Sequence, residues 1–275
     1  MKSEKTREIL HRALLTGGEL LLQYEGTILE TRIKESISSV VTDADLASEK
    51  LILEILSETG FPCNTISEES GFTDRESIFT WVVDPLDGTS NFAAGLPWFG
   101  IIITLFRERE PVLAGMYLPA DKQLYLAGAG KGAWRNAQPI HSARSVHLEE
   151  QLISYSFDYS AVPGKTSREM GQMEHLIGNI RNIRSTNSLV DFCYVADGRL
   201  GAAINQTTKI WDIAAAALII TETGGKVTDV EGHPINFDLS PQNFEKNYTI
   251  VAAGANMHHR LIDILSQSIY KNDET

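Results

Sequence analysis

The segment TWVVDPLDGTSNF, from Thr80 to Phe92, ends an apolar strand candidate on two carboxylates separated by two residues. Pro85 fixes its own φ angle and keeps Asp84 in an extended conformation. The chain must then turn, so that Asp84, the carbonyl of Leu86 and Asp87 can face one point. Because Asp, Pro and Gly are also common in turns, this segment alone fits an acidic surface turn as well as a ligand site.

Other acidic positions also lie at the ends of apolar segments: Asp45 in VVTDAD, Glu68–Glu69 after NTIS, and Asp212 after KIW. Taken singly, each fits a solvated acid or an acid in the first turn of a helix. An ionised carboxylate is costly to bury unless it is paired or bound to a metal, and several together repel one another. Mg²⁺ prefers carboxylate, carbonyl and water oxygens. The joint pattern therefore favours a divalent-metal site.

The residues after the second aspartate suggest an anion site. Gly88 permits unusual φ and ψ angles and close approach of a ligand to the backbone. Thr89, Ser90 and Asn91 can cap a following helix. The N-terminal amides of such a helix would hold an anion such as phosphate.

Helix and strand patterns predict an α+β or α/β layer architecture. Helical spacing appears at REILHRALLTGGELLLQY, with Gly17–Gly18 as a weak point, and at DADLASEKLILEIL. Short strands then predict an antiparallel sheet, and from Leu152 onward strands alternate with helices. We predict an N-terminal α+β lobe at 1–147, carrying most metal ligands. A C-terminal α/β lobe at 148–275 would carry Asp212 and the substrate-selecting residues, within one compact unit.

Composition excludes several function classes. The net charge of −12 leaves no basic surplus for a nucleic-acid polymer. The charged N-terminus lacks the apolar core of a signal peptide, and the longest apolar run, residues 210–221, is too short to span a membrane. Cys63 and Cys193, each flanked by apolar residues, are typical of buried free thiols in a reducing compartment. We therefore predict a soluble cytoplasmic protein without a membrane partner, in which the pair His258–His259 lies on the surface.

Together these segments resemble the inositol monophosphatase family, part of a wider superfamily of lithium-sensitive, metal-dependent phosphatases. The resemblance covers nearly the whole chain. It rests on SEES at Ser67–Ser70, WVVDPLDGTSNF at Trp81–Phe92 and WDIAAAALIITETGG at Trp211–Gly225. VTDAD at Val41–Asp45 and GKGAWRN at Gly130–Asn136 support it. The WVVDPLDGTSNF and WDIAAAALIITETGG segments closely match two family signatures in the family's order.

The resemblance implies a layered αβαβα sandwich of the inositol monophosphatase and fructose-1,6-bisphosphatase type, and Mg²⁺-dependent hydrolysis of phosphomonoesters by a metal-activated water. Glu68, Asp84 and the Leu86 carbonyl would bind a first ion. Asp84, Asp87 and Asp212 would bind a second, and Glu68 would anchor a third, so that the site takes two to three Mg²⁺ ions. Inhibition by Li⁺ and a homodimer are implied as well.

The resemblance also assigns catalytic and substrate-binding roles. Asp45 and Thr89 would orient or deprotonate the attacking water, with Glu68 as a further catalytic residue. The backbone amides and hydroxyls of Gly88, Thr89 and Ser90 would hold the phosphate of a small phosphorylated metabolite. Asn187, Ser188 and Asn205 fall at positions that line the substrate site in the family.

The substrate-selecting positions depart from the family pattern. Asn205 stands where inositol-specific members have a Glu that contacts a sugar hydroxyl. Thr186-Asn187-Ser188 replaces a Gly-Ser/Thr-Ala turn. Arg184 and Lys209 could meet a second anionic group, although solvation at the surface is the more common state for such side chains. Lys34 matches a family lysine near the metal site and fits a solvated loop equally well.

Three functions follow from these observations. The first is a phosphatase for inositol monophosphate or a similar small phosphorylated polyol. Its alternative substrates are those of the superfamily: fructose 1,6-bisphosphate, histidinol phosphate and 3′-phosphoadenosine 5′-phosphate. The second is a non-catalytic regulatory or binding protein on the same fold. The third, a kinase-type protein, rests on the glycines of AGAGKGAW, which lack the G-x-x-x-x-G-K-[ST] order and fit a turn between strands.

Overall fold

The computed structural model describes residues 3–26, 32–33 and 40–270 of the chain. The helices in these ranges are α1 (Ser3–Tyr24), α2 (Asp43–Leu56), α3 (Thr89–Ala93), α4 (Lys165–Ile177), α5 (Leu189–Ala196), α6 (Ile210–Glu222) and α7 (Ala255–Tyr270). The strands are β1 (Arg32–Ile33), β2 (Val40–Val41), β3 (Asn64–Ser67), β4 (Gly71–Thr73), β5 (Phe79–Asp87), β6 (Gly100–Arg107), β7 (Glu110–Leu118), β8 (Gln123–Gly128), β9 (Gly132–Arg135), β10 (Gln138–Pro139), β11 (Leu152–Ser156), β12 (Asn182–Arg184), β13 (Ala202–Thr208), β14 (Gly225–Thr228) and β15 (Tyr248–Gly254).

The larger sheet has eight strands in the order β10-β9-β8-β7-β6-β5-β3-β4. Its neighbours are antiparallel, as predicted, apart from the parallel pair β3 and β5. This parallel pair brings the ends of two acid-terminated strands to the same edge of the sheet, because parallel strands end on the same side. The short strand β4 at that edge was not predicted.

Helices α1 and α2 cover one face of this sheet, and Gly17 and Gly18 lie where α1 crosses it. A Cβ atom on Gly17 would lie 2.7 Å from Cδ1 of Ile101, and one on Gly18 would lie 2.3 Å from the ring of Tyr117. The expected weak point is therefore a close-packing point, and α1 runs unbroken through it. Burial of the helix against the sheet outweighs a propensity cost of about 1 kcal/mol per glycine.

The smaller sheet has five strands in the order β12-β11-β13-β15-β14. Strand β11 is parallel to both β12 and β13, whereas β15 is antiparallel to β13 and β14. Helices α4 and α7 pack together over its outer face, on a core that includes Leu176 and Leu261. The three-residue edge strand β12 was missed by the sequence, because its Asn182 and Arg184 are exposed.

Helices α5 and α6 lie between the two sheets. Helix α6 is apolar all round because it touches both sheets, and its buried residues include three consecutive alanines, Ala214 to Ala216. One apolar core runs from Val82 of the larger sheet through α6 to Ile250 of the smaller one. The layers therefore follow the order α, β, α, β, α, as the family resemblance implied.

An ion cluster joins the larger sheet to the end of α5. The Asp197 carboxylate is 2% exposed and accepts hydrogen bonds from Tyr125 Oη (2.8 Å), Arg135 Nη1 (2.7 Å) and Arg199 Nη2 (2.6 Å). Burying a carboxylate is tolerated here because two guanidinium groups pair with it. The cluster fixes α5 against strands β8 and β9.

Several further predictions can be compared directly with the structure. Cys63 and Cys193 are buried free thiols, as predicted. The surface assignment of His258–His259 is wrong for His258, which is 1% exposed, because this face of α7 packs against the smaller sheet. None of the helices in the described part of the chain combines the length and apolarity that crossing a membrane requires. The lobe boundary between residues 147 and 148 stays a prediction.

Candidate active site

Strand β5 carries two of the predicted metal ligands on a bulge. Asp84 pairs with Ile102 of β6 and Asp87 pairs with Gly100, so three steps along β5 match two steps along β6. In a regular strand, residues three positions apart face opposite sides of the sheet. The extra residue within Pro85–Leu86 brings both carboxylates to one side. Pro85 has no N–H group to donate, and it lies within the bulge, where the ladder of hydrogen bonds is already interrupted.

Helix α6 brings a third carboxylate to the bulge. Asp212, in its first turn, lies with Asp84 and Asp87 so that oxygens of the three lie within 4.8 Å of one another. Oδ2 of Asp212 accepts hydrogen bonds from the Lys209 backbone N–H and from Thr208 Oγ1, both at 2.7 Å. These two contacts fix the carboxylate at the start of α6.

The other two carboxylates are also held through one oxygen each. Oδ1 of Asp84 accepts the Leu86 backbone N–H at 3.0 Å, and Oδ2 of Asp87 accepts the Leu189 backbone N–H at the start of α5. Among the described residues, the second oxygen of Asp84, Asp87 and Asp212 has no hydrogen-bond donor. The structure therefore presents three oriented carboxylate oxygens to one space.

Glu68 and the Leu86 carbonyl complete the predicted ligand set. Glu68 follows β3 directly, and its backbone N–H donates to Val83 O at 3.2 Å, so Glu68 lies beside the end of β5. It lines the same cleft as the three aspartates. The carbonyl oxygen of Leu86 lies 2.9 Å from Thr89 Oγ1, whose single proton is shared between this oxygen and Asp45 Oδ1. With two lone pairs, the Leu86 carbonyl keeps a second acceptor position.

The electrostatics of this cluster call for a cation. Burial, followed by the charges of Glu68, Asp87 and Asp212, raises the pKa of Asp84 well above its usual range. Burial and the charge of Asp212 do the same to the pKa of Asp87. Burial raises the pKa of Asp212 to about 6. In the described ranges, no Lys or Arg nitrogen lies within 4.0 Å of these three carboxylates. A set of carboxylates and one carbonyl fits Mg²⁺.

Thr89 and Asp45 lie next to this cluster. Oγ1 of Thr89 is 3.0 Å from Oδ1 of Asp45, inside the range of about 2.6–3.2 Å for a positioned proton acceptor. Asp45 is fully buried in the first turn of α2, where its Oδ2 accepts Thr42 N–H (2.8 Å) and Thr42 Oγ1 (2.6 Å). Ser48, further along α2, donates to the Pro85 carbonyl at 2.7 Å. Helix α2 is therefore tied directly to the bulge.

The predicted anion-binding turn follows immediately. Gly88 has a φ angle of +81°, and a Cβ atom there would lie 2.4 Å from the backbone oxygen of Trp98. Only glycine fits this position. Helix α3 then starts at Thr89, and its first turn, including Ser90, lines the cleft. Backbone N–H groups in the first turn of a helix have no acceptor within the helix.

The predicted substrate residues line the opposite wall of the same cleft, which has a volume of about 450 Å³. Asn187, at a φ angle of +51°, donates through Nδ2 to Asp158 Oδ1 at 3.3 Å. Ser188 is the N-cap of α5 and accepts the Val190 backbone N–H. Oδ1 of Asn205 accepts the Thr207 N–H at 2.8 Å, and the amide nitrogen of Asn205 has no acceptor among the described residues.

The charged residues outside the metal cluster have different locations. Arg184 is exposed in β12, donates to the Ile183 carbonyl at 2.7 Å and does not line the cleft. Lys209 does line the cleft, and its Nζ donates to the Glu245 carbonyl at 2.7 Å. Lys34 lies outside the described residues.

Three acids that line the cleft were missed by the sequence reasoning: Asp158, Asp191 and Glu245. Asp158 lines the cleft, and burial raises its pKa. Asp191, in the first turn of α5, accepts hydrogen bonds from the Thr186 N–H (3.2 Å) and Ser156 Oγ (3.3 Å). Asp158 follows the end of β11, which is the same signal that singled out Asp84. Asp191 had no such signal, because it lies in the first turn of a helix and not at the end of a strand.

The glycine-rich loop of the kinase hypothesis has another role. The backbone N–H groups of Gly130 and Gly132 both donate to the carboxylate of Glu222, at 2.7 Å each. Amides that hold a carboxylate at the end of α6 are not available for a nucleotide phosphate. The loop therefore connects β9 to α6 through hydrogen bonds to Glu222.

The layered αβαβα fold, with an acidic cleft at the edges of its sheets, is also the fold of solved inositol monophosphatase structures. The family model described as "Inositol monophosphatase family" matches residues 2–270. The chain belongs to the inositol monophosphatase family, whose members are phosphatases.

Individual relatives match over most of their length. The inositol-1-monophosphatase of Caulobacter vibrioides is 30% identical over 246 residues, covering 87% of this chain and 93% of that protein. A protein of Xylella fastidiosa named Nus factor SuhB is 31% identical over 270 residues, covering 95% of this chain and 94% of that protein. The crystal structure of the extragenic suppressor protein suhB from Bartonella henselae superposes with a TM-score of 0.84, at 28% identity, over 94% of this chain and 97% of that one.

Proposed function

We propose that this protein is a Mg²⁺-dependent phosphomonoesterase that hydrolyses inositol monophosphate or a similar small phosphorylated polyol. The observation that carries the proposal is the group of three carboxylates with oxygens within 4.8 Å of one another. Each keeps one oxygen without a donor among the described residues, and the Thr89–Asp45 pair lies beside them. The family membership supports the same reaction class.

Five groups of this chain would hold the metal ions: the carboxylates of Glu68, Asp84, Asp87 and Asp212 and the carbonyl of Leu86. Bound Mg²⁺ neutralises charge on a phosphate ester, lowers the pKa of water and stabilises a leaving alkoxide. The number of ions, two to three, is carried over from the family resemblance.

Thr89 and Asp45 would manage the proton of the attacking water. Asp45 is buried and its Oδ2 takes two donors from Thr42, so its Oδ1 faces Thr89 as an acceptor. A water that donates to Thr89 Oγ1 lets that hydroxyl donate in turn to Asp45. The arrangement orients the water toward the phosphorus without requiring Thr89 itself to be a strong base.

The turn after the bulge and the opposite wall would bind the two ends of the substrate. The amides and hydroxyls of Gly88, Thr89 and Ser90 suit a phosphate, because donors at a helix start complement negative charge. Asn187, Ser188 and Asn205 would contact the alcohol part. The Ser188 hydroxyl is already engaged as the α5 cap, so we assign the larger share of alcohol recognition to Asn187 and Asn205.

A substrate panel tests this proposal. Phosphate release is measured with inositol 1-phosphate, fructose 1,6-bisphosphate, histidinol phosphate and 3′-phosphoadenosine 5′-phosphate, each with Mg²⁺ and with a chelator. We expect Mg²⁺-dependent turnover, fastest with inositol 1-phosphate, and inhibition by Li⁺. If another ester of the panel is hydrolysed faster, the proposed reaction class stands and the proposed substrate is replaced by that ester.

A second candidate is a regulatory binding role, because a relative that this chain matches over 94% of that relative's length is named a Nus factor. The metal-ligand and proton-acceptor positions all carry residues that can perform these roles, and this favours turnover over a binding role. Mg²⁺ binding by calorimetry without hydrolysis of any ester in the panel would favour the binding role. Homodimerisation and a cytoplasmic location are part of the proposal, and the mass measured by light scattering checks the dimer.

A further inference from the structure

A second cleft, the α1 cleft, lies between the start of α1 and strands β7 to β9. Its volume is about 650 Å³, and it shares no residue with the candidate active site. Its lining residues are Glu4, Arg7, Glu8, His11, Leu15, Tyr117, Lys122, Leu124, Leu126, Trp134, Asn136 and Ala137. This volume is in the range of about 300–1,000 Å³ that small-molecule sites occupy.

The inner part of the α1 cleft is apolar. Leu15 of α1 faces Leu124 and Leu126 of β8, and Trp134 of β9 adds an aromatic wall. Leu15, Leu126 and Trp134 all keep part of their surface exposed. Partly open leucine and tryptophan side chains around one concavity gain free energy when a flat apolar body covers them.

Two of the lining side chains carry a hydrogen-bonding group that has no partner among the described residues. Tyr117 is 7% exposed, and its hydroxyl has no hydrogen-bond partner in the described part of the chain. Burial and, next, the charge of Glu19 raise the pKa of Tyr117, so the hydroxyl stays protonated and able to donate. The indole N–H of Trp134 likewise has no acceptor among the described residues. Neither atom is among the buried polar atoms that lack a partner, so both reach solvent and are open to a ligand.

Two cations border the same space. The guanidinium of Arg7 lies 5.2 Å from the centre of the Trp134 ring. A guanidinium that stacks on a ring keeps its in-plane N–H donors free. Neither Arg7 nor Lys122 has a carboxylate within 4.0 Å in the described ranges, although Glu4 and Glu8 lie on the rim. Both cations can therefore pair with a ligand anion.

From this combination we infer that the α1 cleft is a second, non-catalytic binding site for a small molecule with a flat aromatic body and one anionic group. The aromatic body lies on Leu15, Leu124 and Leu126 against Trp134. The anionic group pairs with Arg7 and accepts from Tyr117. Lys122 supplies the second positive charge at the rim.

Calorimetric titration of the full chain with 1-naphthoate tests this inference, with 1-naphthalenemethanol as the uncharged analogue. Mg²⁺ and saturating inorganic phosphate are present throughout, so that the candidate active site is occupied. We expect one molecule of naphthoate per chain and binding at least about tenfold weaker for the alcohol. Equal binding of the two probes, or no naphthoate binding, would overturn the inference.

Two variants with one control locate the site. Arg7→Gln removes the cation with little change in length, and we expect roughly tenfold weaker naphthoate binding. Lys5→Gln removes an exposed cation of the same helix that does not line the cleft, and we expect unchanged binding. Leu15→Trp fills the cleft and is expected to abolish binding.

Phosphate release by each variant reports on the fold separately, because none of these residues lies in the candidate active site. If Leu15→Trp fails to fold, the Arg7→Gln and Lys5→Gln pair still decides the matter. Wild-type affinity in Arg7→Gln would contradict the assignment. So would an equal loss in Lys5→Gln.

Discussion

Oγ1 of Thr89 lies 3.0 Å from Oδ1 of Asp45, although the two residues are 44 positions apart in the chain. The contact joins the first turn of α2 to the turn that follows the β5 bulge. It depends on two further ties, the Thr42 contacts that fix Asp45 and the bond from Ser48 to the Pro85 carbonyl. The proton-handling pair is thus positioned by the same bulge that orients the metal ligands.

Removing the Thr89 hydroxyl tests the role of this pair. We expect Thr89→Ala to lower kcat by about 10²- to 10⁴-fold, the usual contribution of a positioned proton-transfer group. Thr89→Ser keeps the hydroxyl and is expected to retain most of the activity. The thermal midpoint of both variants checks the fold. Parent-level turnover in Thr89→Ala would remove this residue from the proposed chemistry.

Asp87→Asn tests the metal cluster through stability as well as turnover. Without metal, the variant removes one of three crowded charges whose pKa values are raised, and Asn Oδ1 can still accept the Leu189 N–H. We expect the metal-free thermal midpoint at pH 8 to rise by about 2–4 °C, which corresponds to about 1 kcal/mol.

The same variant should lose turnover and the stabilisation that Mg²⁺ gives the parent chain. Asp121→Asn, an exposed acid outside the cleft, is the matched control and should leave all three quantities unchanged. A fall in the metal-free midpoint of Asp87→Asn would show that mutual repulsion is not the dominant effect at this site.

The layer order followed from the family resemblance of the sequence, and the fold confirms it. Local patterns singled out the three aspartates that the structure brings together. Acids at strand ends and a D-P-x-D-G-T turn are visible in one stretch of chain. The bulge explains why Asp84 and Asp87 face one way, yet its presence depends on pairing with β6, which no local pattern shows. Asp191 was missed for a similar reason, since only the fold brings the start of α5 to the cleft.

Other errors have the same origin in tertiary packing. Gly17 and Gly18 weaken an isolated helix, but here the missing side chains let α1 approach Ile101 and Tyr117. His258 was placed on the surface because a polar pair in a terminal helix is usually solvated. The packing of α7 instead buries one of the two and exposes the other.

Gly88→Ala tests whether the anion-binding turn requires glycine. Its Cβ atom would meet the Trp98 backbone oxygen at 2.4 Å, at a φ angle of +81°. We expect the free energy of unfolding to fall by about 2–4 kcal/mol and turnover to fall with it. Gly95→Ala has a similar φ angle of +73° in open space, so it should cost only about 1 kcal/mol. Equal costs would show that the close contact has no effect.

His258 gives the stability of the protein a defined dependence on pH. Burial lowers the pKa of His258 from 6.5 to about 4, and one ring nitrogen lies 3.0 Å from Thr228 Oγ1. At a pH between these two pKa values, His258 binds a proton in the unfolded chain but not in the folded chain. The free energy of unfolding therefore falls as pH drops from 6.5 to about 4.

His258→Gln should remove this part of the pH dependence, on the order of 1–2 kcal/mol. His259→Gln, the exposed neighbour, is the control and should keep the parent profile. Denaturant unfolding at pH 7 and at pH 5 measures the difference. A parent-like slope in His258→Gln would assign the acid sensitivity to other groups.

The most direct test of the central claim is phosphate release from inositol 1-phosphate as Mg²⁺ is titrated into chelator-treated protein. The account predicts no release before Mg²⁺ is added and a saturable rise in rate as the three carboxylates take up the ion. Release that is insensitive to chelation, or no release from any phosphomonoester at saturating Mg²⁺, would contradict it.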